Sequence, residues 1–415
     1  MSWWLRTGLP RCGVFLGLAA ICAAGCGNSG EPQLPERNFL IVVESSAYEP
    51  LRETLDGYAE LMQLGRFNVH VESFVPGTVE DLKALLFDHV DMHDIEGALL
   101  IGELPAAWYE QVAFSYHEEF PTDIYLQDRD AVWTDEDGDG IFDHHSDLNL
   151  DIYTARLNGT STQLQDYFAR ARYYRRVGPL VDVSAFIFID DDWSSANTSD
   201  EFHLGELYSN VNVLQDEADS TFANYLARLT GSGAEFVYQW IHSAPLFLSI
   251  HDQDEQGKLF YSKVLSRDIA KHDLKASFFN LFDCSAARFT GENLAEEYVV
   301  ATDYGLAAIG STKTGAVNDP HFFHENLVLG RRWGEAYQMW FNEVGKRNDA
   351  WHLGIVLMGD PLLRLTGDLF PSGWTDVGGW DPPGAFEELM ETIAQESELS
   401  TFEEYRDSHP EFFDE

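Results

Sequence analysis

Residues 278–289 read FFNLFDCSAARF, an apolar run that ends in a cysteine and passes at once into small side chains. A short continuous apolar run of this kind suits a strand covered on both faces, as in parallel sheets. Functional groups in such sheets gather beyond the carboxyl ends of the strands, and Cys284 falls at such an end. The stretch leaves two readings open: a buried inert thiol or a nucleophile.

The same pattern extends to both sides. Downstream, NLAEEYVVAT (293–302) reads as a helix, GLAAIGST (305–312) as a strand, residues 325–344 as one long helix, and IVLMGDPLLRLT (355–366) as a strand-like turn. Upstream lie SAFIFIDDD (184–192), VNVLQ (211–215), a helix around STFANYLARL (220–229), and the strand APLFLSIHD (244–252). An earlier run begins with the strand FLIVVES (39–45). A helix closed by Gly65, the strand FNVHVESF (67–74), a helix capped by Thr78 and the strand GALLIGELP (97–105) complete it. That is a βαβαβ order, which implies parallel strands with right-handed crossovers. The expected fold class is α/β: two adjacent parallel-sheet subdomains, 38–180 and 181–370, with helices on both faces. Residues from about 108 to 160 are loop-rich and acidic.

On this reading, neighbouring strands of the second subdomain end in His251 and in Cys284, and SAFIFIDDD ends in Asp190, Asp191 and Asp192. A thiol, an imidazole to move its proton and a carboxylate to orient the imidazole are what a cysteine nucleophile needs. Cysteine usage sharpens the point. The four cysteines stand at 12, 22, 26 and 284. Residues 1–26 read as an export signal, with Arg6 and Arg11, a short apolar segment, and Ala23-Ala24-Gly25-Cys26 resembling a bacterial lipoprotein cleavage site. Cleavage and acylation of Cys26 would leave Cys284 as the only free thiol. Gly27 follows in place of the aspartate that retains lipoproteins in the inner membrane, so the expected location is the outer membrane or cell surface. Residues 27–37 would be a tether and 371–415 an acidic tail.

The order of PLFLSIHD, FFNLFDCSAARF, GLAAIGST and GDPLLRL resembles the gingipain-type cysteine peptidases, which have a caspase-like fold. FLIVVES, GALLIGELP, FPTDIYLQDRD and DIYTARLNG resemble the amino-terminal subdomain of that family, so the likeness spans roughly 38–367. The resemblance implies Cys284 as nucleophile, His251 as general base and acid, and Asp190 or Asp191 as its orienting carboxylate. The backbone N–H groups of Cys284 and Asp252 would form the oxyanion hole. Asp200 would sit at the floor of a pocket for arginine or lysine, or else cap a helix, and Trp193 would line the groove or simply pack. Two departures count against activity. The family expects Gly-His-Gly where this chain has Ile250-His251-Asp252, and Asp283 brings a second acid beside the thiol.

TDEDGDGIFD (134–143) places Asp135, Asp137 and Asp139 at alternate positions before Gly140, as a tightly wrapped calcium loop requires. The candidate ligands are Asp135, Asp137, Asp139, Ile141 and Asp143. Position 12 is Ser146 in place of a bidentate glutamate, so the loop is calcium-binding and structural without being a complete EF-hand. His321 and His324 read as ordinary histidines at a helix start. With 26 Lys+Arg against 70 Asp+Glu, the formal charge of −44 repels nucleic acid and anionic membrane and attracts cations and basic peptides. The expected function is a surface-anchored cysteine endopeptidase with calcium as structural cofactor and proteins or peptides as substrates. Transpeptidation is a variant of it. The alternative is a non-catalytic lipoprotein that binds peptide or protein.

Overall fold

The computed structural model describes residues 37–253 and 258–367. The expected signal, Cys26, the tether before Arg37 and the acidic tail lie outside them. Among the described residues no helix is long and apolar enough to cross a membrane.

The first run follows the expected order: β1 (Arg37–Glu44), α1 (Ser45–Leu64), β2 (Phe67–Phe74), α2 (Val79–His93) and β3 (Ile95–Ile101). Thr78 caps α2 in a reciprocal capping box with Asp81, and Gly65 closes α1, both as the sequence predicts. The stretch that reads as loop-rich carries a hairpin, β4 (Ala107–Ala113) and β5 (Tyr116–Thr122), then α3 (Ile124–Gln127), the two-residue strands β6 (Trp133–Thr134) and β7 (His144–His145), and β8 (Tyr153–Leu157). Helix α4 (Ser161–Val177) leads to β9 (Ala185–Ile189), β10 (Val211–Leu214), α5 (Phe222–Thr230) and β11 (Ala234–Trp240). Three antiparallel strands follow, β12 (His242–Ala244), β13 (Phe247–Gln253) and β14 (Leu259–Leu265). The chain ends through α6 (Ser266–His272), β15 (Ala276–Phe282), α7 (Leu294–Val300), β16 (Ala307–Ser311), α8 (His321–Val328), α9 (Trp333–Glu343), α10 (Asp349–His352) and β17 (Ile355–Gly359).

The expected α/β class holds, with one architectural difference: the two runs share a single ten-stranded sheet. Its order is β10-β9-β11-β15-β16-β17-β8-β3-β1-β2. All its pairings are parallel except β16 with β17, and β17 in turn pairs parallel with β8, which joins the halves. Every residue of β8, β9, β16 and β17 is buried, the signature of a sheet covered on both faces.

The joint is bolted by a buried ion pair. Asp360, just past β17, accepts 2.6 Å from Arg175 Nη2 of α4 and 2.9 Å from Tyr58 Oη of α1, and both charged side chains are fully buried. This accounts for the GDPLLRL motif: Gly359 has φ +88°, and a Cβ there would lie 2.2 Å from Leu306 O.

Three other expectations change. The strand carrying His251 is β13, which belongs to the separate antiparallel sheet β12-β13-β14 and does not neighbour β15. The strand beside β15 is β11, which the sequence reading passes over because Glu235 and Gln239 break its apolar run. Both polar residues are buried and bonded. Tyr174 Oη donates to Glu235, and Tyr225 Oη donates to Gln239 at 2.9 Å. The long helix expected over 325–344 is two helices, α8 and α9. Gly330 at φ +82° separates them, and the Trp333 N–H turns to Leu363 O at 2.9 Å.

Candidate active site

Strands β9, β11 and β15 stop at one level. In register, Trp240 pairs with both Ile189 and Phe282. Beyond that line the chain delivers Asp190 to Asp192, Ile241 to Ser243, and Asp283 to Ser285 onto one edge of the sheet. His242 and Cys284 thus each stand two residues past the same pair. Ser243 Oγ donates to Cys284 O at 2.6 Å and holds the two segments together. His242 is the functional candidate that sequence reasoning missed. The signal that would have found it is the polar-interrupted strand EFVYQW just before it.

The acidic run that stayed ambiguous in sequence is divided among distinct partners. Asp190 is buried and accepts the His251 backbone N–H at 3.0 Å, which ties β13 down over the sheet edge. Asp191 Oδ1 lies 2.6 Å from His251 Nδ1. Asp192 Oδ2 lies 3.2 Å from His242 Nε2 and accepts from Tyr261 Oη, also at 3.2 Å. Burial pushes the Asp190 carboxyl up to about 7, the His251 N–H opposes this, and the charges of Asp191 and Asp192 add to it. Burial alone would lower His251, but the Asp191 hydrogen bond and the three aspartate charges outweigh it and raise the imidazole.

Around the thiol, burial comes first and pushes Cys284 above the usual range. The Gly315 N–H and the Lys313 ammonium pull it down, while Asp283 and Glu118 push it up. Lys313 is buried, reaches Ala350 O at 2.8 Å and is lowered by burial to about 8. Gly315 has no room for a side chain, since a Cβ would meet Trp351 O at 2.6 Å. A thiol held above its ordinary range is mostly protonated at neutral pH. Alkylation of Cys284 by iodoacetamide should accordingly be slower at pH 7 than that of a free cysteine. Its rate should keep rising with pH past the usual thiol range; a plateau below that range would show a preformed thiolate.

Asp283 pushes the thiol up, as the sequence suggests, but is held by partners of its own. Its carboxyl is turned inward, accepting from Gln239 Nε2 at 2.5 Å and from the Ile241 N–H at 3.0 Å, and burial drives its pKa well upward. These bonds fix the backbone that presents His242. Asp252 lies inside the β13–β14 ladder opposite Phe260, with its carboxylate accepting from Ser262 Oγ at 2.9 Å. The expected oxyanion donor is therefore on the hairpin and not at the end of a strand beside β15.

Trp193 packs against the His242 ring, 4.4 Å between centroids. Asp200 serves as a cap, accepting from the Phe202 N–H at 3.1 Å, and its other oxygen faces His321 Nδ1 at 3.5 Å. His324 is a core residue: it packs between Asn280 Nδ2 (2.8 Å) and Phe202 O (3.1 Å), and burial lowers it to about 3. A cavity of about 670 Å³ opens at the ends of β1, β3 and β8 beside Glu44, Gly102 and Arg156; it touches the Cys284 segment only through Phe289 to Glu292.

The acidic loop adopts the expected turn. Asp135 accepts from the Gly138 and Gly140 N–H groups at 2.6 and 2.9 Å, Asp139 accepts from the Ile141 N–H at 2.8 Å, and Gly138 and Gly140 have positive φ. Carboxylate oxygens of Asp137, Asp143 and Glu110 lie within 4.8 Å of one another. Glu110 comes from β4 and could not be found from the loop alone. Hard oxygen donors on a turn of this shape fit calcium.

A family model for peptidase family C25 matches residues 77–366, well over half of the chain. The chain belongs to peptidase family C25. The match takes in β8 to β17 and with them Cys284 and both histidines. No curated protein matches the chain. Among solved structures, a solute-binding protein of an ABC transporter system from Conexibacter woesei is similar at 9% identity over 88% of this chain and 98% of that one. Its TM-score is 0.18, which carries no argument. For a C25 family member, the caspase-like arrangement expected from the sequence accords with the large, mostly parallel, helix-covered sheet.

Proposed function

We propose that the protein is a cysteine endopeptidase whose nucleophile is Cys284 and whose proton carrier is His242. The register that brings both residues two positions beyond the Trp240–Phe282 pair carries this reading. Asp192 holds His242 by Nε2 and leaves Nδ1 free to take the Sγ proton. The thiolate then attacks the peptide carbonyl carbon, forming a C–S bond, and the backbone N–H groups of Ser243 and Cys284 receive the oxyanion. The imidazolium returns the proton to the leaving amine as the C–N bond breaks. Water, deprotonated by the same imidazole, cleaves the thioester and the thiol regains its proton. On this assignment the family's Gly-His-Gly becomes Ile241-His242-Ser243, and the charge objection raised by Asp252 disappears.

Its test is hydrolysis of a fluorogenic peptide panel, varied before the scissile bond, by the wild type and Cys284→Ala. The reading expects turnover in the wild type and a loss of roughly 10⁴-fold or more in the variant. Equal turnover by both proteins would exclude Cys284. One observation favours the non-catalytic alternative: burial raises the thiol, so little thiolate exists at rest. That alternative expects peptide binding without turnover in either protein.

Calcium in the Asp135–Asp143 loop would be structural. Chelation should lower Tm by several degrees, and Asp135→Asn should remove most of that sensitivity by taking a charged oxygen ligand from the loop. An unchanged Tm under chelator would count against a bound ion. Export and acylation at Cys26 belong to the same proposal, and metabolic labelling with a radioactive fatty acid, lost in Cys26→Ser, tests them.

A further inference from the structure

A second cluster of metal-ligating side chains lies at the edge of the sheet formed by β2, and neither the peptidase chemistry nor the calcium loop uses it. His70 on β2 stacks on His93 of α2, with ring centroids 4.1 Å apart and planes 22° from parallel. His89, one helical turn before His93, has its ring 5.3 Å from His93 and 5.9 Å from His70. The i, i+4 spacing sets His89 and His93 on one helix face, and the i, i+2 spacing sets Glu72 on the same strand face as His70. Glu72 Oε1 lies 3.5 Å from His89 Nε2.

His89 is 4% exposed, yet its Nδ1 has no hydrogen-bond partner among the described residues. Its other nitrogen fares little better, because 3.5 Å to Glu72 is too long for an ordinary hydrogen bond. Two ligands held about 2.0–2.1 Å from one tetrahedral cation stand roughly 3.3 Å apart, and their imidazole ring centres stand about 5 Å apart. The Glu72–His89 separation and the three ring distances bracket those values. Imidazoles are largely neutral at pH 7 and prefer zinc-class ions to calcium.

We propose that His70, His89, His93 and Glu72 form a site for a divalent transition cation of the zinc class. The ion would bridge His89 Nε2 and Glu72 and pin the edge strand β2 to α2. With three imidazoles and one carboxylate as ligands, its role is structural.

The test uses the untagged full chain with Cys12, Cys22, Cys26 and Cys284 all replaced by alanine, so that no thiol can take the metal, with excess calcium in every arm to fill the acidic loop. After chelator treatment and dialysis, zinc chloride is titrated by calorimetry, and cobalt(II) is titrated by visible absorption. One equivalent of zinc is expected, with cobalt giving the spectrum of a tetrahedral nitrogen–oxygen site. His89→Gln and His93→Gln should each weaken zinc binding by tenfold or more and abolish the cobalt spectrum. His93 is only half-buried, so if His89→Gln fails to fold, His93→Gln decides alone. Absence of zinc binding, or binding that His93→Gln leaves unchanged in stoichiometry and affinity, would overturn the proposal.

Discussion

Alanine in place of His242 lowers kcat by roughly 10²–10⁴-fold, the usual contribution of general acid–base catalysis, with KM little changed. Alanine in place of His251 leaves kcat/KM within about tenfold. The contrast follows from the architecture. His242 continues β11, whose ladder with β15 fixes it beside Cys284 through Ser243. His251 reaches the same edge on the antiparallel hairpin, where its backbone N–H holds Asp190 and its ring is clamped by Asp191 and stacked on Tyr261 at 4.9 Å. Its replacement keeps the backbone hydrogen bond and loses the part-buried contact with Asp191 and the stack on Tyr261. Steady-state kinetics on the best peptide of a panel checks both variants, with thermal melts to show that each is folded. A larger loss in His251→Ala than in His242→Ala would reverse the assignment.

The second large effect concerns the joint between the halves of the sheet. Asp360→Ala destabilises the fold by about 3–5 kcal/mol, because Arg175, charged and buried, loses its carboxylate. Asp360→Asn keeps one acceptor oxygen, for Tyr58 and Arg175 or for the Leu362 N–H but not for both, and should cost less, on the order of 1–3 kcal/mol. Urea unfolding measures both, and the expected result is a lower midpoint with an unchanged slope. A midpoint within experimental error of the wild type in Asp360→Ala would show that the pair does not hold the joint.

Local chemistry was legible in the sequence where partners are close along the chain. Thr78 and Asp81 form their capping box within one turn, Asp135 and Gly140 close their own loop, and the apolar run before Cys284 identifies its strand. What stayed hidden depends on contacts between distant segments. β11 carries Glu235 and Gln239, whose burial is made tolerable by Tyr174 and Tyr225 from other helices, so its sequence lacks the continuous apolar signal of its neighbours. Missing that strand left His251, the next imidazole along the chain, as the one histidine weighed for the site. The three aspartates at 190–192 were visible as a group, but only the fold assigns one to a backbone N–H and one to each histidine. Asp283 shows the same limit: adjacency to Cys284 predicts its push on the thiol, whereas its hydrogen-bond partners, Gln239 Nε2 and the Ile241 N–H, come from the neighbouring segment.

The most direct test of the central claim is covalent capture. The full chain would be treated with peptidyl acyloxymethyl ketones, and the product examined by intact mass and peptide mapping. The account predicts one adduct per chain, located on Cys284, formed quickly by the wild type and by His251→Ala and slowly by His242→Ala. An adduct on another residue, or none across the panel while the folded protein still binds peptide, would contradict it.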